Sequence, residues 1–194
     1  RRQLVSALSL PAEPVWLDQV HGTGVVDATL AVGAPAADAS YARQPGVVCA
    51  VMTADCLPVL FCHQRGQTVA AAHAGWRGLA DGVLEATVAA MGVPADSLLA
   101  WLGPAIGPGA FEIGDEVRTL FVDRQPEARE AFSPLVKGQW LADIYQLARL
   151  RLAAAGVGQF FGGGFCTFTD SERFYSFRRQ SATGRMASLI WITG

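Results

Sequence analysis

An apolar run leads straight into a glycine-rich turn and then into a helical pattern in the first half of the chain. The run Thr68-Val-Ala-Ala-Ala is typical of a buried strand, and the apolar spacing predicts a helix over Leu79–Met91. Between them, glycines on both sides of Trp76 and Arg77 allow a sharp turn with free backbone N–H groups, which suits an anion. The pattern therefore predicts an α/β protein with a histidine, His73, where a strand ends.

Composition narrows the possible partners. With 194 residues and 51% hydrophobic content, the chain is expected to form a single domain over residues 1–194. A net charge of −2 and only 16% charged residues offer no basic surface for nucleic acid. No apolar run approaches the roughly 20 residues that span a bilayer, and the start of the chain lacks a signal-peptide pattern. We therefore expect a cytoplasmic protein that binds small molecules.

The cysteines divide into core residues and a candidate for chemistry. Cys49 and Cys62 lie inside apolar runs and are expected to pack as small hydrophobic residues. Cys56 differs, because it follows Asp55 at a break between two strand-like runs, 46–53 and 57–62. No CxxC pair is present, so all four thiols are expected to be reduced.

The remaining elements follow from periodicity and from glycine and proline. Residues 33–46, which include Asp38, and the Gly/Pro-rich segment 103–109 are expected to be loops. The apolar spacing of Leu141–Leu152 predicts an amphipathic helix. Further strands are predicted over residues 15–21, 98–102 and 185–192, and a further helix over residues 115–122.

His21, Cys56 and His73 are each placed at the end of a predicted strand and could meet in one site. Two imidazoles and a thiolate can hold zinc with a fourth position open for water, whose pKa the metal lowers to near 7. The same atoms could instead make Cys56 a nucleophile with a histidine as its base and backbone N–H groups near Gly75–Gly78 as an oxyanion hole. At this point both interpretations stand, as does a simple hairpin-capping role for His21.

Two adjacent arginines near the end of the chain are further candidates. Successive side chains of an extended segment point in opposite directions, so Arg178 and Arg179 could place one guanidinium towards the site and one outward. A surface ion pair is the alternative explanation.

Taken together, the motifs resemble those of the YfiH family, also called laccase-domain or peptidoglycan-editing-factor proteins. The resemblance begins near residue 15 and continues in order through the chain. It rests on Gln19-Val-His21-Gly, Thr53-Ala-Asp-Cys56-Leu-Pro-Val-Leu, Ala72-His73-Ala-Gly-Trp-Arg-Gly, Gly103-Pro-Ala-Ile-Gly-Pro, Phe111-Glu-Ile-Gly-Asp-Glu-Val and Thr183-Gly-Arg-Met-Ala-Ser-Leu-Ile.

This resemblance implies a fold and a cofactor. The expected fold is a four-layer α/β/β/α fold with mixed sheets, shared with a toxin deamidase domain. The expected metal ligands are His21, Cys56 and His73, with zinc as the metal and copper as the second choice. Members of the family usually have some tens of residues before the Gln-Val-His-Gly motif, and we expect that segment to be missing here.

The resemblance also implies an activity. Members of the family are described as purine nucleoside enzymes, combining phosphorolysis of adenosine, inosine, guanosine and methylthioadenosine with adenosine deamination. An older description is multicopper polyphenol oxidase, but multicopper sites need more histidines than the three in this chain. The alternatives left open are a metal-free cysteine hydrolase or amidase acting on a cell-wall precursor and a non-catalytic nucleoside-binding module.

Each candidate residue has an expected role under the preferred hypothesis. Cys56 and His73 are expected to serve catalysis as well as metal binding, and Asp55 to orient a ligand or move a proton. Arg77 is expected to bind phosphate, and Gln19 and Arg178 to bind the rest of the substrate.

Overall fold

The computed structural model describes residues 2–194. Its strands are β1 (Val25–Asp27), β2 (Ala39–Ala42), β3 (Cys49–Thr53), β4 (Leu57–His63), β5 (Val69–Ala74), β6 (Leu98–Leu102), β7 (Glu112–Gly114), β8 (Phe132–Pro134), β9 (Gln139–Ala142), β10 (Gln159–Gly162) and β11 (Met186–Ile190). Its helices are α1 (Arg2–Ala7), α2 (Trp76–Asp81), α3 (Val83–Met91), α4 (Asp115–Arg124) and α5 (Ile144–Ala154), with 3-10 turns at Ala95–Ser97 and Pro126–Ala131.

A six-stranded mixed sheet forms the centre of the molecule. Its strand order is β1-β2-β5-β4-β6-β10, with parallel pairs at both edges and antiparallel pairs between them. The central strand β5 is buried along its whole length, and four of its six residues are alanine. Small side chains let other layers approach both faces of this strand closely.

The two faces of the large sheet are covered differently. Helix α3 packs on one face against β5 and β2, while β3 and β11, which form an antiparallel pair, pack against β5 and β4. A third sheet, β7-β9-β8, lies next to α4. The mixed α/β fold with mixed sheets predicted from the sequence is confirmed. Helix α3, the six-stranded sheet and the β3–β11 pair are stacked layers of this fold.

Some predicted elements are wrong in detail. Residues 15–21 do not form a strand, because this segment meets its neighbours only through isolated bridges, Val15 with Cys49 and Asp18 with Ala36. The supposed loop 33–46 contains β2, whose residues pair with β5 on one side and β1 on the other. The sequence Ala-Ser-Tyr-Ala has little strand preference of its own, so its neighbours in the sheet decide its conformation.

The helical predictions need two corrections. The helix expected over Leu79–Met91 begins earlier, at Trp76, and Gly82 divides it into α2 and α3 by adopting a left-handed φ of 107°. The helix expected from Leu141 begins at Ile144, because residues 139–142 form β9. Asp143 sets this start by accepting hydrogen bonds from two backbone N–H groups of the first turn.

The strands predicted in the apolar runs are confirmed. The apolar runs at 46–53, 57–62, 68–72 and 98–102 contain strands β3, β4, β5 and β6. All four cysteines are free thiols. In the part of the chain that the structure describes, no helix has both the length and the apolar character needed to cross a membrane. His63 is buried at the end of β4.

Candidate metal centre and substrate cavity

His21, Cys56 and His73 meet in space. Their ligand atoms all lie within 4.8 Å of one another, and Cys56 Sγ is 3.9 Å from His21 Nε2. The Zn–S and Zn–N bond lengths in proteins, about 2.3 Å and 2.0–2.1 Å, place tetrahedral ligands about 3.3–3.8 Å apart. A small inward movement of these side chains would therefore let all three reach one ion.

Backbone geometry brings the ligands together. Cys56 lies in the turn between β3 and β4, where its neighbour Asp55 adopts a left-handed φ of 84°. His73 is in β5, opposite Pro58 of β4, so the strand pairing sets its distance from Cys56. His21 also has a positive φ, 60°, in the turn before β1. Positive φ is uncommon outside glycine and often marks functional turns.

Asp38 connects two of the ligands, although the sequence analysis assigned it no role. Its carboxylate is fully buried, and Oδ1 accepts a hydrogen bond from His73 Nδ1 at 2.7 Å. The same carboxylate accepts the backbone N–H groups of Val20, His21 and Gly22, at 3.3, 2.9 and 2.6 Å. Asp38 therefore orients the His73 ring, leaving Nε2 for a metal, and also holds the turn that carries His21.

In the metal-free protein the cluster forms a charged network. Burial of the Cys56 thiol favours its neutral form, but hydrogen bonds and charges from His21 and His73 prevail and lower its pKa to about 7. Burial also disfavours the His73 imidazolium, but the hydrogen bonds to Asp38 and Cys56 raise the pKa of His73 to about 9. For Asp38, burial is outweighed by His73 and the backbone N–H groups, so its pKa is lowered.

Two glycines allow α2 to approach the ligands. A Cβ on Gly75 would lie 2.9 Å from His21 Cδ2 and 3.0 Å from Cys56 Sγ. A Cβ on Gly78 would lie 2.7 Å from the backbone oxygen of Gly22, in the turn that carries His21. The glycines of the Gly75–Gly78 turn therefore make room for the cluster. The anion site proposed at a helix start gains little support, because α2 has only six residues.

Substituting Gly75 by alanine should weaken metal binding without unfolding the chain. The backbone of Gly75, at φ −64° and ψ 157°, suits any residue, so the added methyl group acts only by displacing His21 and Cys56. We expect zinc affinity to fall about tenfold or more, which competition with a chromophoric chelator would measure. Gly109→Ala is the matched control, because a Cβ there meets nothing within 4 Å. Equal zinc affinity in both variants would contradict this steric account.

The cluster opens into a cavity of about 880 Å³. Its volume is in the range of sites for small organic ligands, about 300–1,000 Å³. All the predicted site residues line it, and Asp18, Trp76, Phe111, Phe177 and Arg185 add charge and aromatic surface. The predicted residues are Gln19, His21, Asp55, Cys56, His73, Arg77 and Arg178.

Gln19 and Asp55 are held firmly in the cavity wall. The Gln19 amide donates to the backbone oxygen of Met52 and accepts from its N–H, both at 2.8 Å. Asp55 Oδ1 accepts the Thr167 hydroxyl at 2.6 Å, and Oδ2 accepts the Arg178 N–H at 2.7 Å. Both residues thus join separate segments around the cavity.

The adjacent residues Arg178 and Arg179 make different contacts. Arg178 lines the cavity, and its Nη2 donates a hydrogen bond to the backbone oxygen of Glu112 at 3.1 Å. Arg179 donates to the backbone oxygens of Thr167, Phe168 and Phe174 at 2.7–2.8 Å. Arg179 therefore stabilises the C-terminal loop and, unlike Arg178, does not line the cavity.

The ligand set is compatible with a single zinc ion or a single copper ion. Two imidazoles, one thiolate and an open side facing a cavity match catalytic zinc, and a mononuclear copper site can also use two histidines and a cysteine. A multicopper centre is not supported, because His63 lies at the far end of β4, where its Nδ1 accepts the Arg65 N–H. Within residues 2–194 this is the single group of three or more potential ligand residues.

A mixed α/β fold that gathers these ligands at the wall of a large cavity defines a candidate metalloenzyme. The chain belongs to the family described as multi-copper polyphenol oxidoreductase laccase, which it matches over residues 1–193. YfiH of Escherichia coli, called a purine nucleoside phosphorylase, is 57% identical over 197 residues, covering 99% of this chain and 79% of YfiH. The expected family is thereby confirmed.

Other relatives agree with this assignment. A Pseudomonas aeruginosa protein called a purine nucleoside phosphorylase is 61% identical over 193 residues, which are 99% of this chain and 78% of the relative. A crystal structure of a Neisseria meningitidis protein, 53% identical, superposes with a TM-score of 0.96 over 100% of this chain and 80% of that one. The crystal structure of YlmD from Geobacillus stearothermophilus, 30% identical, superposes with a TM-score of 0.92 over 100% of this chain and 78% of YlmD.

Proposed function

We propose that this protein is a zinc-dependent purine nucleoside phosphorylase that also deaminates adenosine. The observation that carries the proposal is the cluster of His21, Cys56 and His73 at the wall of a cavity lined with arginines. The names of the relatives from Pseudomonas aeruginosa and Escherichia coli support phosphorolysis as the principal reaction. The proposed nucleosides are adenosine, inosine, guanosine and methylthioadenosine, and deamination rests on the family resemblance and the metal ligands.

Different residues around the cavity would hold the metal, bind phosphate and orient the C-terminal loop. Bound zinc would supply a Lewis acid and a water of lowered pKa, as required for deamination. Arg77, whose guanidinium lies 4.9 Å from the Trp76 ring centre, would attract phosphate. Because Asp55 accepts hydrogen bonds from Thr167 and from the backbone N–H of Arg178, its first proposed task is to orient Arg178 and the C-terminal loop.

Aromatic side chains would bind the purine. Trp76, Phe111 and Phe177 line the cavity, and the Phe177 side chain is 54% exposed despite its size. A purine ring stacked on such a face would remove this apolar surface from water. Gln19 would keep the neighbouring wall in place through Met52, and its amide oxygen has a remaining lone pair for a ribose hydroxyl.

The direct test is to incubate the zinc-loaded protein with each nucleoside, with and without phosphate, and to separate the products by chromatography. We expect the free base and a sugar 1-phosphate only when phosphate is present. The sugar product should be ribose 1-phosphate from adenosine, inosine and guanosine and 5-methylthioribose 1-phosphate from methylthioadenosine, and adenosine should give inosine in either case. Finding no free base from any of the four nucleosides would contradict phosphorolysis. Finding no inosine would contradict deamination alone.

The metal-free cluster supports a second candidate, a cysteine hydrolase or amidase. Asp38, His73 and Cys56 form a line in which a buried carboxylate orients an imidazole next to a thiol. Cysteine hydrolases use the same order of groups. Because a bound metal would make the thiolate a ligand, zinc analysis of the purified protein separates the candidates: one tightly held ion per chain contradicts the hydrolase.

The reactivity of Cys56 should report its pairing with the two histidines. In the metal-free protein its alkylation by iodoacetamide should increase with pH to a midpoint near 7, because the neighbouring imidazoles lower the pKa of the thiol. Mass spectrometry of the peptide that contains Cys56 measures the rate separately from the other thiols. Zinc should block the reaction, and a midpoint near the ordinary value of about 8.5 would contradict the pairing.

A further inference from the structure

The arginines of the C-terminal segment, residues 173–185, fall into two classes. Arg173 forms an ion pair with Asp170, and Arg179 donates to three backbone oxygens. Arg178 and Arg185 line the cavity, and neither forms an ion pair within the described part of the chain. Two guanidinium charges thus face the cavity without a carboxylate to neutralise them.

Each of these two guanidinium groups is oriented by backbone oxygens. Arg178 donates Nη2 to the Glu112 oxygen at 3.1 Å, and Arg185 donates Nη1 to the oxygens of Thr183 and Gly184 at 3.1 and 3.0 Å. Because a guanidinium has five N–H donors, several donors on each remain for a ligand. A group already held in position loses less entropy on binding than a free side chain.

Both groups also lie near cavity-lining rings. Arg178 lies 5.9 Å from the centre of the Phe111 ring, and Arg185 lies 5.9 Å from that of Phe177. These contacts limit how far the guanidinium groups can turn towards solvent. Asp55 adds a further constraint by accepting the backbone N–H of Arg178 at 2.7 Å.

The balance of charge in the cavity is positive. Arg77, Arg178 and Arg185 line it together with two carboxylates, Asp18 and Asp55. The Asp55 carboxylate is held in place by the hydrogen bonds that it accepts from the Thr167 hydroxyl and from the backbone N–H of Arg178. An anion with more than one negative charge would be the best complement to this surface.

We infer that Arg178 and Arg185 form a subsite for a phosphate dianion, to which Arg77 adds further positive charge. Arg185 is then a binding residue to which none of the roles proposed above was given. The inference deepens the proposed function and rests on it for the source of the phosphate. In that reaction the subsite would hold inorganic phosphate before the glycosidic bond breaks and the phosphate of ribose 1-phosphate afterwards. The planar fork of each arginine can bind two oxygens of the same group.

The test is calorimetric titration of the zinc-loaded protein with inorganic phosphate and, separately, with ribose 1-phosphate. Arg185→Gln should weaken the binding of both ligands about tenfold or more, because it removes charge-assisted hydrogen bonds to the phosphate oxygens. Arg185→Lys should recover only part of this loss, because lysine keeps the charge but not the fork. Arg65→Gln, in an exposed turn outside the cavity, removes the same charge and should bind both ligands like the wild type.

The outcomes separate this inference from the proposed function. Unchanged phosphate binding in Arg185→Gln, or no binding to the wild type at millimolar phosphate, would overturn the subsite. Equal weakening in Arg65→Gln would overturn it as well, because the effect would then come from net charge. If phosphate binds through Arg185 but no nucleoside is cleaved, the subsite stands and the phosphorylase proposal fails.

Discussion

Replacing Cys56 by alanine should remove the metal and nearly all activity. A site reduced to two imidazoles cannot hold zinc tightly, so metal content should fall from about one ion per chain to less than about a tenth after dialysis. Loss of several kcal/mol of transition-state stabilisation corresponds to about a thousandfold lower rate. Elemental analysis and an assay of inosine cleavage measure the two effects.

Cys62→Ala is the matched control for this experiment. Cys62 is a half-buried thiol in β4 and does not line the cavity. Its replacement should leave the metal content at the wild-type value. If Cys56→Ala retained a full equivalent of zinc, the cluster of His21, Cys56 and His73 would not be the metal site.

Replacing Asp38 should affect both the fold and the metal. Asp38→Ala leaves three backbone N–H groups and His73 Nδ1 without their acceptor in a buried position. Breaking such a buried charged network typically lowers the free energy of unfolding by about 3–5 kcal/mol. Loss of a carboxylate that orients a ligand histidine typically lowers metal affinity by about 10–100-fold. Urea denaturation and chelator competition measure the two effects separately.

Asp38→Asn keeps the folded shape more closely and guards against a variant that does not fold. Its single amide oxygen can accept from the His21 turn or from His73, but an NH₂ group must replace the other acceptor. We expect an intermediate loss of zinc affinity. Asp96→Ala, in an exposed 3-10 turn, serves as the surface control. Wild-type zinc affinity in both Asp38 variants would show that Asp38 does not position the ligands.

The sequence predicts those strands and helices whose own apolar pattern is distinct. The apolar runs of β4 and β6 and the spacing of α5 are such signals, and all three elements are present. The break at Gly82 has no comparable signal, because a single glycine is tolerated inside a helix. Only packing, which places α2 against the ligand cluster through Gly75 and Gly78, separates the two helices.

The candidate site was predictable to a similar degree. His21, Cys56 and His73 could be proposed because each stands next to a turn or at a strand end, and their meeting depends on the pairing of β4 with β5. Asp38 could not be proposed from the sequence, because an Ala-, Pro- and Gly-rich segment surrounds it. Its role depends on contacts with residues far from it along the chain. Arg185 belongs to one of the sequence motifs, yet only the structure shows that it lines the same cavity as Arg178.

The spacing of the ligands along the chain determines how the proposed zinc ion would affect the stability of the whole protein. His21 and Cys56 are separated by 35 residues and Cys56 and His73 by 17, so gathering all three ligands in the unfolded chain would cost the entropy of closing two loops. Zinc should therefore bind the folded state almost exclusively. Each tenfold rise in free zinc above the dissociation constant would then add about 1.4 kcal/mol to the free energy of unfolding. The melting temperature of the protein would therefore rise with the concentration of free zinc and could be used to measure it.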